Sequence, residues 1–118
     1  MSTLSEVWAL KRGEPPSCVG TEYRIESVIT FCPWLGKEWS LPWSRLESLI
    51  FGNEDEAEKM ELFFPRYHVV AIGQNLRGVQ DDLRSFKVHR LRSFPLAHRV
   101  KYPPTAPFIW QLDVTLVP

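Results

Sequence analysis

Cysteine is scarce in this sequence: Cys18 and Cys32 are the only two, and they stand fourteen apart. That spacing makes no CxxC pair, and two thiols cannot supply the disulfide framework that small secreted domains use in place of a large core. Both are read as free thiols. His68, His89 and His98 are not i,i+4 neighbours and none is close to a cysteine, so the locally paired ligands of a structural zinc site are missing. Long apolar runs are missing too. The longest uncharged stretch, Tyr102 to Leu112, has eleven residues and three prolines, whereas a bilayer-crossing helix needs roughly 20 apolar residues. The start, "MSTLSEVWALKRGEPPS", lacks the basic, apolar and small-residue blocks of a secretory signal. The expectation is a cytoplasmic protein of bacterial type with no membrane contact. GxSxG and HExxH are absent, and no Cys-His pair is fixed in proximity by the sequence, so no catalytic residues, metal or cofactor are implied.

What is present is the balance of one globular domain, with 44% apolar and 24% charged residues in 118. The stretch "EYRIESVITF" alternates, placing Tyr23, Ile25, Ile29 and Phe31 on one face and Glu22, Arg24, Glu26 and Thr30 on the other, as in a half-buried antiparallel strand. "CPWLGKEW" then reads as a turn set by Pro33 and Gly36, returning through Trp39, Leu41 and Trp43. Pro42 cannot donate to a ladder, which assigns this second strand to a sheet edge. "SRLESLIFG" has capping-box spacing at Ser44 and Glu47, but it is short and ends before a Gly-Asn turn; it is read as strand. "NEDEAEK" is an acidic turn into "MELFF", and "PRY" leads to "HVVAIG" as a further hairpin.

One helix is expected. Asn75 is a candidate N-cap, and Leu76, Val79, Leu83 and Phe86 form an apolar stripe at helical spacing. "KVHRLR" resumes the sheet, "FPLAHRVKYPPTAP" is a proline-rich connection, and "PFIWQLDVTLV" is a strand with Phe108, Trp110, Leu112, Val114 and Leu116 on one side. The predicted fold is α+β: a mainly antiparallel sheet of about five to six strands with one amphipathic helix packed on one face. Residues 1–20 read as a loosely held arm and 21–118 as the domain. Its predicted core is Ile25, Ile29, Leu62, Val70, Ile72, Leu76, Val79, Leu83, Trp110, Leu112 and Val114.

Three features bear on function. Trp34, Trp39 and Trp43 fall within ten residues around the predicted edge hairpin, where they could line a ligand pocket or a subunit interface. Charge cancels overall but is separated: residues 1–82 carry 8 positive and 13 negative side chains, residues 83–118 carry 6 and 1. The basic set Arg84, Lys87, Arg90, Arg92, Arg99 and Lys101 could follow a phosphate backbone, yet it lies on a helix end, a strand and a loop, and acidic residues 54–61 offer a counterpart. "GQNLRG" has the glycine spacing of a phosphate loop, but Val79 and Gln80 replace the Lys-Ser/Thr that reach phosphate and magnesium, leaving a turn before a helix as the reading. Together these predict a non-enzymatic, self-associating domain, most simply a two-fold dimer, that binds a protein or small-molecule partner through an aromatic edge. Nucleic-acid binding through the basic segment is the alternative.

Overall fold

The computed structural model describes residues 16–21 and 27–117. Eight strands form two four-stranded sheets: β1 (Val19–Thr21), β2 (Val28–Cys32), β3 (Trp39–Pro42), β4 (Ser48–Glu54), β5 (Ala57–Phe63), β6 (Tyr67–Gln74), β7 (Val88–Arg92) and β8 (Phe108–Leu116). The first sheet has the order β1-β7-β2-β3 and the second β4-β5-β6-β8. Helix α1 (Arg77–Arg84) follows β6, so the chain leaves the second sheet through the helix and re-enters the first at β7. All strand pairings are antiparallel except β2 with β7. No helix among the described residues is long and apolar enough to cross a membrane.

The α+β class and the antiparallel character agree with the sequence reading; the number and arrangement of strands do not. Instead of one sheet with a helix on one face, two sheets turn their apolar faces into one cluster: Ile29, Phe31 and Leu91 from the first, Met60, Leu62, Val69 and Leu112 from the second. Val79 and Leu83 enter that same cluster from the helix, and Leu76 from the residue that precedes it. The helical stripe is therefore shared between sheets. Period-two alternation identifies a strand but says nothing about which strands pair, and that is where the prediction failed.

Of the strand predicted from residue 22 to 31, residues 28–31 lie in β2, and residues 22–26 fall outside the described residues. β1 and β2 pair on opposite sides of β7, β1 antiparallel and β2 parallel to it. Tyr23 and Ile25, like the arm over residues 1–15, lie outside the described residues. The edge assignment from Pro42 is correct, because β3 pairs only with β2. Of the segment 44–52 read as strand, residues 48–52 are strand within β4, while Ser44 and Arg45 belong to a short 3-10 turn at Trp43–Arg45.

Two close backbone features set the second sheet. In β6, Val69 and Ala71 face the core while Val70 and Ile72 are half-buried on the outer face, reversing the predicted pair. "HVVAIG" is apolar throughout, so its facing is decided by its neighbours, and a one-residue shift changes every side chain. The deciding neighbour is β8, where Ile72 pairs with Gln111 but Gly73 with Ile109, leaving Trp110 as the extra residue of a bulge. The bulge explains why Phe108 and Ile109 are both fully buried, Trp110 only half, and Val114 half. It requires a glycine opposite: a Cβ on Gly73 would lie 1.9 Å from the Phe108 carbonyl oxygen.

Both reversals at helix and hairpin ends use left-handed residues that are not glycine. Asp55 (φ 45) and Glu56 (φ 63) make the two-residue loop between β4 and β5, the twist-matched mirror-image turn usually built with Asn-Gly. Phe86 (φ 58) ends α1, with its N–H bonded to the Leu83 carbonyl and that of Lys87 to Asp82, the paired bonds of a Schellman motif. Its ring meets Trp43 edge-on at 5.4 Å, which offsets the strain. Asn75 does not cap the helix. It is left-handed (φ 60), and its amide donates to the carbonyls of Pro104 and Ala106.

Gly73→Ala is expected to destabilise by about 3 kcal/mol or more, since backbone must move to admit the methyl; a urea midpoint within error of wild type would contradict the bulge. Glu56→Gly should stabilise by about 1 kcal/mol by relieving a left-handed non-glycine residue, seen as a higher midpoint at unchanged slope.

Candidate functional site: an aromatic edge

The turn between β2 and β3 projects Trp34 and Leu35, with Gly36 at φ 115 allowing the reversal. Trp34 is 51% and Leu35 83% exposed. The turn is nevertheless anchored. The Trp34 N–H donates to Ser93 Oγ at 2.8 Å, and the Ser93 N–H donates to the Cys32 carbonyl, so a buried serine after β7 ties the tip to the first sheet.

Beneath the tip, residues 93–107 are held by side chains rather than by a ladder. Rings run inward in contact: Trp34 on Phe94 (5.8 Å) and His98 (5.3 Å), Phe94 on Tyr102 (6.0 Å), Tyr102 on the core residue Phe108 (5.1 Å). Centroid separations of this size are those of attractive tilted and edge-to-face pairs. Arg99 lies 5.6 Å over Phe108 and donates to Gln74 Oε1 and to the carbonyls of Pro103 and Pro104. The 3-10 helix Leu96–Lys101 that carries His98 and Arg99 leaves Leu96 58% and Val100 89% exposed. Trp34 and Leu35 thus form an exposed apolar tip on an ordered aromatic base.

The three indoles singled out in the sequence do not form one surface. Trp39 is half-buried against Tyr67 at 5.4 Å. Trp43 is buried, with its indole N–H donating to the Val88 carbonyl. Only Trp34 is exposed. The six basic residues separate as well: Arg84 ends α1 beside Asp81, Lys87 and Lys101 are exposed on different connections, Arg90 and Arg92 are half-buried on the central strand β7, and Arg99 is engaged with carbonyls. Leu35, Phe94, Leu96, His98 and Val100 were not picked out as surface partners of Trp34. Sixty residues separate Trp34 from Phe94, and no spacing rule links a hairpin turn to a proline-rich connection.

A cleft of about 590 Å³ lies beside the tip, between Pro33, Leu35, Lys37 and Trp39 on one side and, on the other, β8 with Lys59, Val70 and Ile72 of the outer face of the second sheet. A second, of about 690 Å³, adjoins the start of α1. There the Leu76 N–H donates to a Glu58 carboxylate oxygen, so a protein anion already occupies the donor end of the helix, and "GQNLRG" serves as a turn. No family model, no curated protein and no solved structure matches the chain. The site is accordingly read from its own chemistry.

Among the described residues no three His, Cys, Asp or Glu side chains converge. His68 Nε2 is 3.1 Å from Glu61 Oε1 and its ring stacks on Phe63, a cross-strand arrangement on the outer face of the second sheet, next to Thr115 and Val70 of the first cleft. Neither ring nitrogen of the inwardly placed His89 has a hydrogen-bond partner among the described residues. The thiols are poor nucleophiles: burial pushes Cys18 up to about 11, and burial with the neighbouring Glu38 carboxylate pushes Cys32 up to about 11. Burial also pushes the Tyr102 phenol up to about 12.

These shifts have a direction in pH. Each group is an acid that ionises less readily in the fold, so the unfolded chain loses its proton first and stability falls with rising pH. The contribution is whole below the ordinary thiol value of 9.0 and lost as pH rises through about 11. Urea midpoints should therefore be level on the neutral side and decline across that window, and Cys18→Ala should flatten the decline; a wild-type midpoint constant across the window would contradict the assignment.

Proposed function

We propose that this protein is a non-enzymatic interaction module that associates with a second copy of itself through the aromatic edge at Trp34. One observation carries the reading: Trp34 and Leu35 stand in solvent on a turn that is fixed from behind by Ser93, Phe94 and His98. An exposed indole on a rigid base loses little conformational entropy on contact, which is why aromatic anchors dominate interface energetics. Leu96 and Val100 are also exposed, on the 3-10 helix whose His98 touches Trp34, and exposed apolar side chains gathered in one region mark interaction surfaces. A two-fold dimer is the simplest assembly because one patch then serves both copies. The nucleic-acid reading has less support, since Arg99 is committed to carbonyls and the remaining cations do not line one groove.

The wild-type chain is expected to sediment as a dimer at micromolar concentration and to stay dimeric as salt is raised, because apolar contact is not screened. Trp34→Ser should give a folded monomer. A monomeric wild type by light scattering or sedimentation, or a Trp34→Ser variant that remains dimeric, would overturn the proposal.

A further inference from the structure

β8 runs along the cleft beside the tip, next to Val70 and Ile72 of β6. Among the described residues it is the last strand of its sheet and pairs only with β6. The Val117 N–H donates to the Arg66 carbonyl, and the register runs on through Tyr67 with Leu116 to Val70 with Asp113. In an antiparallel ladder, residues that exchange bonds with the partner alternate with residues whose N–H and C=O groups point the other way. Thr115 and Asp113 therefore bond toward β6, and the backbone groups of Leu112, Val114 and Leu116 point away from it, where the sheet has no further strand.

The start of the same edge is closed. The Ile109 N–H donates to the buried Cys18 Sγ, and the Ile109 carbonyl accepts from the Phe94 N–H. The open part thus begins after the bulge and spans residues 111–117, with Val114 at its centre. Unprotected edges of this length pair with other strands unless a charge, proline or bulge blocks them, and none of these blocks stands at 112, 114 or 116.

Resting on the self-association reading, we infer that the occupant of this edge is β8 of a second copy, paired antiparallel about a two-fold axis at Val114. The register follows from the edge itself. Centring on Val114 sets Leu112 opposite the partner's Leu116 and Val114 opposite itself, so every outward backbone group on both copies finds a partner. Centring on Asp113 would oppose two carboxylates, which is destabilising, and centring on Leu112 would run the partner strand into the closed segment at Ile109. With Val114 central, Asp113 faces a threonine across the seam, and Leu116, 64% exposed in one copy, is covered by Leu112. The two sheets then continue as one, and the tip residues Leu35 and Trp39, which line the cleft, lie against the incoming strand. Backbone bonds supply the seam and the aromatic tip its apolar cover, the division of labour of strand addition generally.

Two single variants, Asp113→Cys and Thr115→Cys, each in a Cys32→Ser background, test the register. Both positions are exposed, and directly opposed residues of a non-hydrogen-bonded pair fall within disulfide reach. Mixed under mild oxidation they should give covalent dimer faster than either variant alone. Leu116→Lys, at a solvent-exposed position, should weaken the dimer about tenfold or more by placing a charge at the seam. Equal cross-linking of the mixture and the single variants, or undiminished dimer in Leu116→Lys, would overturn the seam. If Trp34→Ser still disperses the dimer in that event, the aromatic edge stands without it; a monomeric wild type removes both.

Discussion

The Gly73–Phe108 contact governs the second half of the chain. A backbone carbonyl fills the space where a side chain would begin, and this approach holds the extra residue Trp110 out of register. From that single offset follow the inward placement of Ile109 and Leu112, the burial of Phe108 under Tyr102 and Arg99, and the direction of the backbone groups along the rest of β8. Without the bulge, Phe108 could not both end the strand and close the aromatic chain leading to Trp34.

Interleaving of the two sheets makes the rest cooperative. β7 returns to the first sheet after the second is nearly complete, and β8 returns to the second after the first is closed. Each sheet therefore owes its last strand to a crossing. α1 makes one crossing and contributes the buried side chains of Val79 and Leu83, with Leu76 buried just before it, while the second crossing, residues 93–107, is secured by Arg99, Asn75 and Tyr102 donating to backbone carbonyls. Polar side chains satisfy the carbonyls that prolines leave without a regular ladder.

Much of this was legible in the residues and some was not, for identifiable reasons. The strands around Ile29 and Phe31, the hairpins from residue 48 to 74, the helix and the edge status of β3 were readable because alternation, helical spacing and Pro42 act locally. The wrong face of β6 came from an apolar run with no alternation, and the missed bulge from a contact between Gly73 and a carbonyl 35 residues later. The turn at Asp55 and Glu56 and the helix end at Phe86 gave no glycine to announce them. For the candidate site, tryptophan density pointed to the β2–β3 hairpin, but local spacing could not show that Trp43 turns into the core or that Trp34 is seated on Phe94 and His98. The charge separation was equally visible and equally ambiguous until Arg99 was seen to spend its donors on its own connection.

The central claim is that one face of this molecule is held open for a second strand: a rigid aromatic tip beside an unpaired sheet edge. Amide hydrogen exchange along β8, followed at several protein concentrations, tests it most directly. At concentrations where the chain is associated, the account predicts protection of Leu112, Val114 and Leu116 that falls on dilution, while Asp113 and Thr115, bonded toward β6, stay protected throughout. Exchange at the even-numbered amides that is fast and independent of concentration would contradict it.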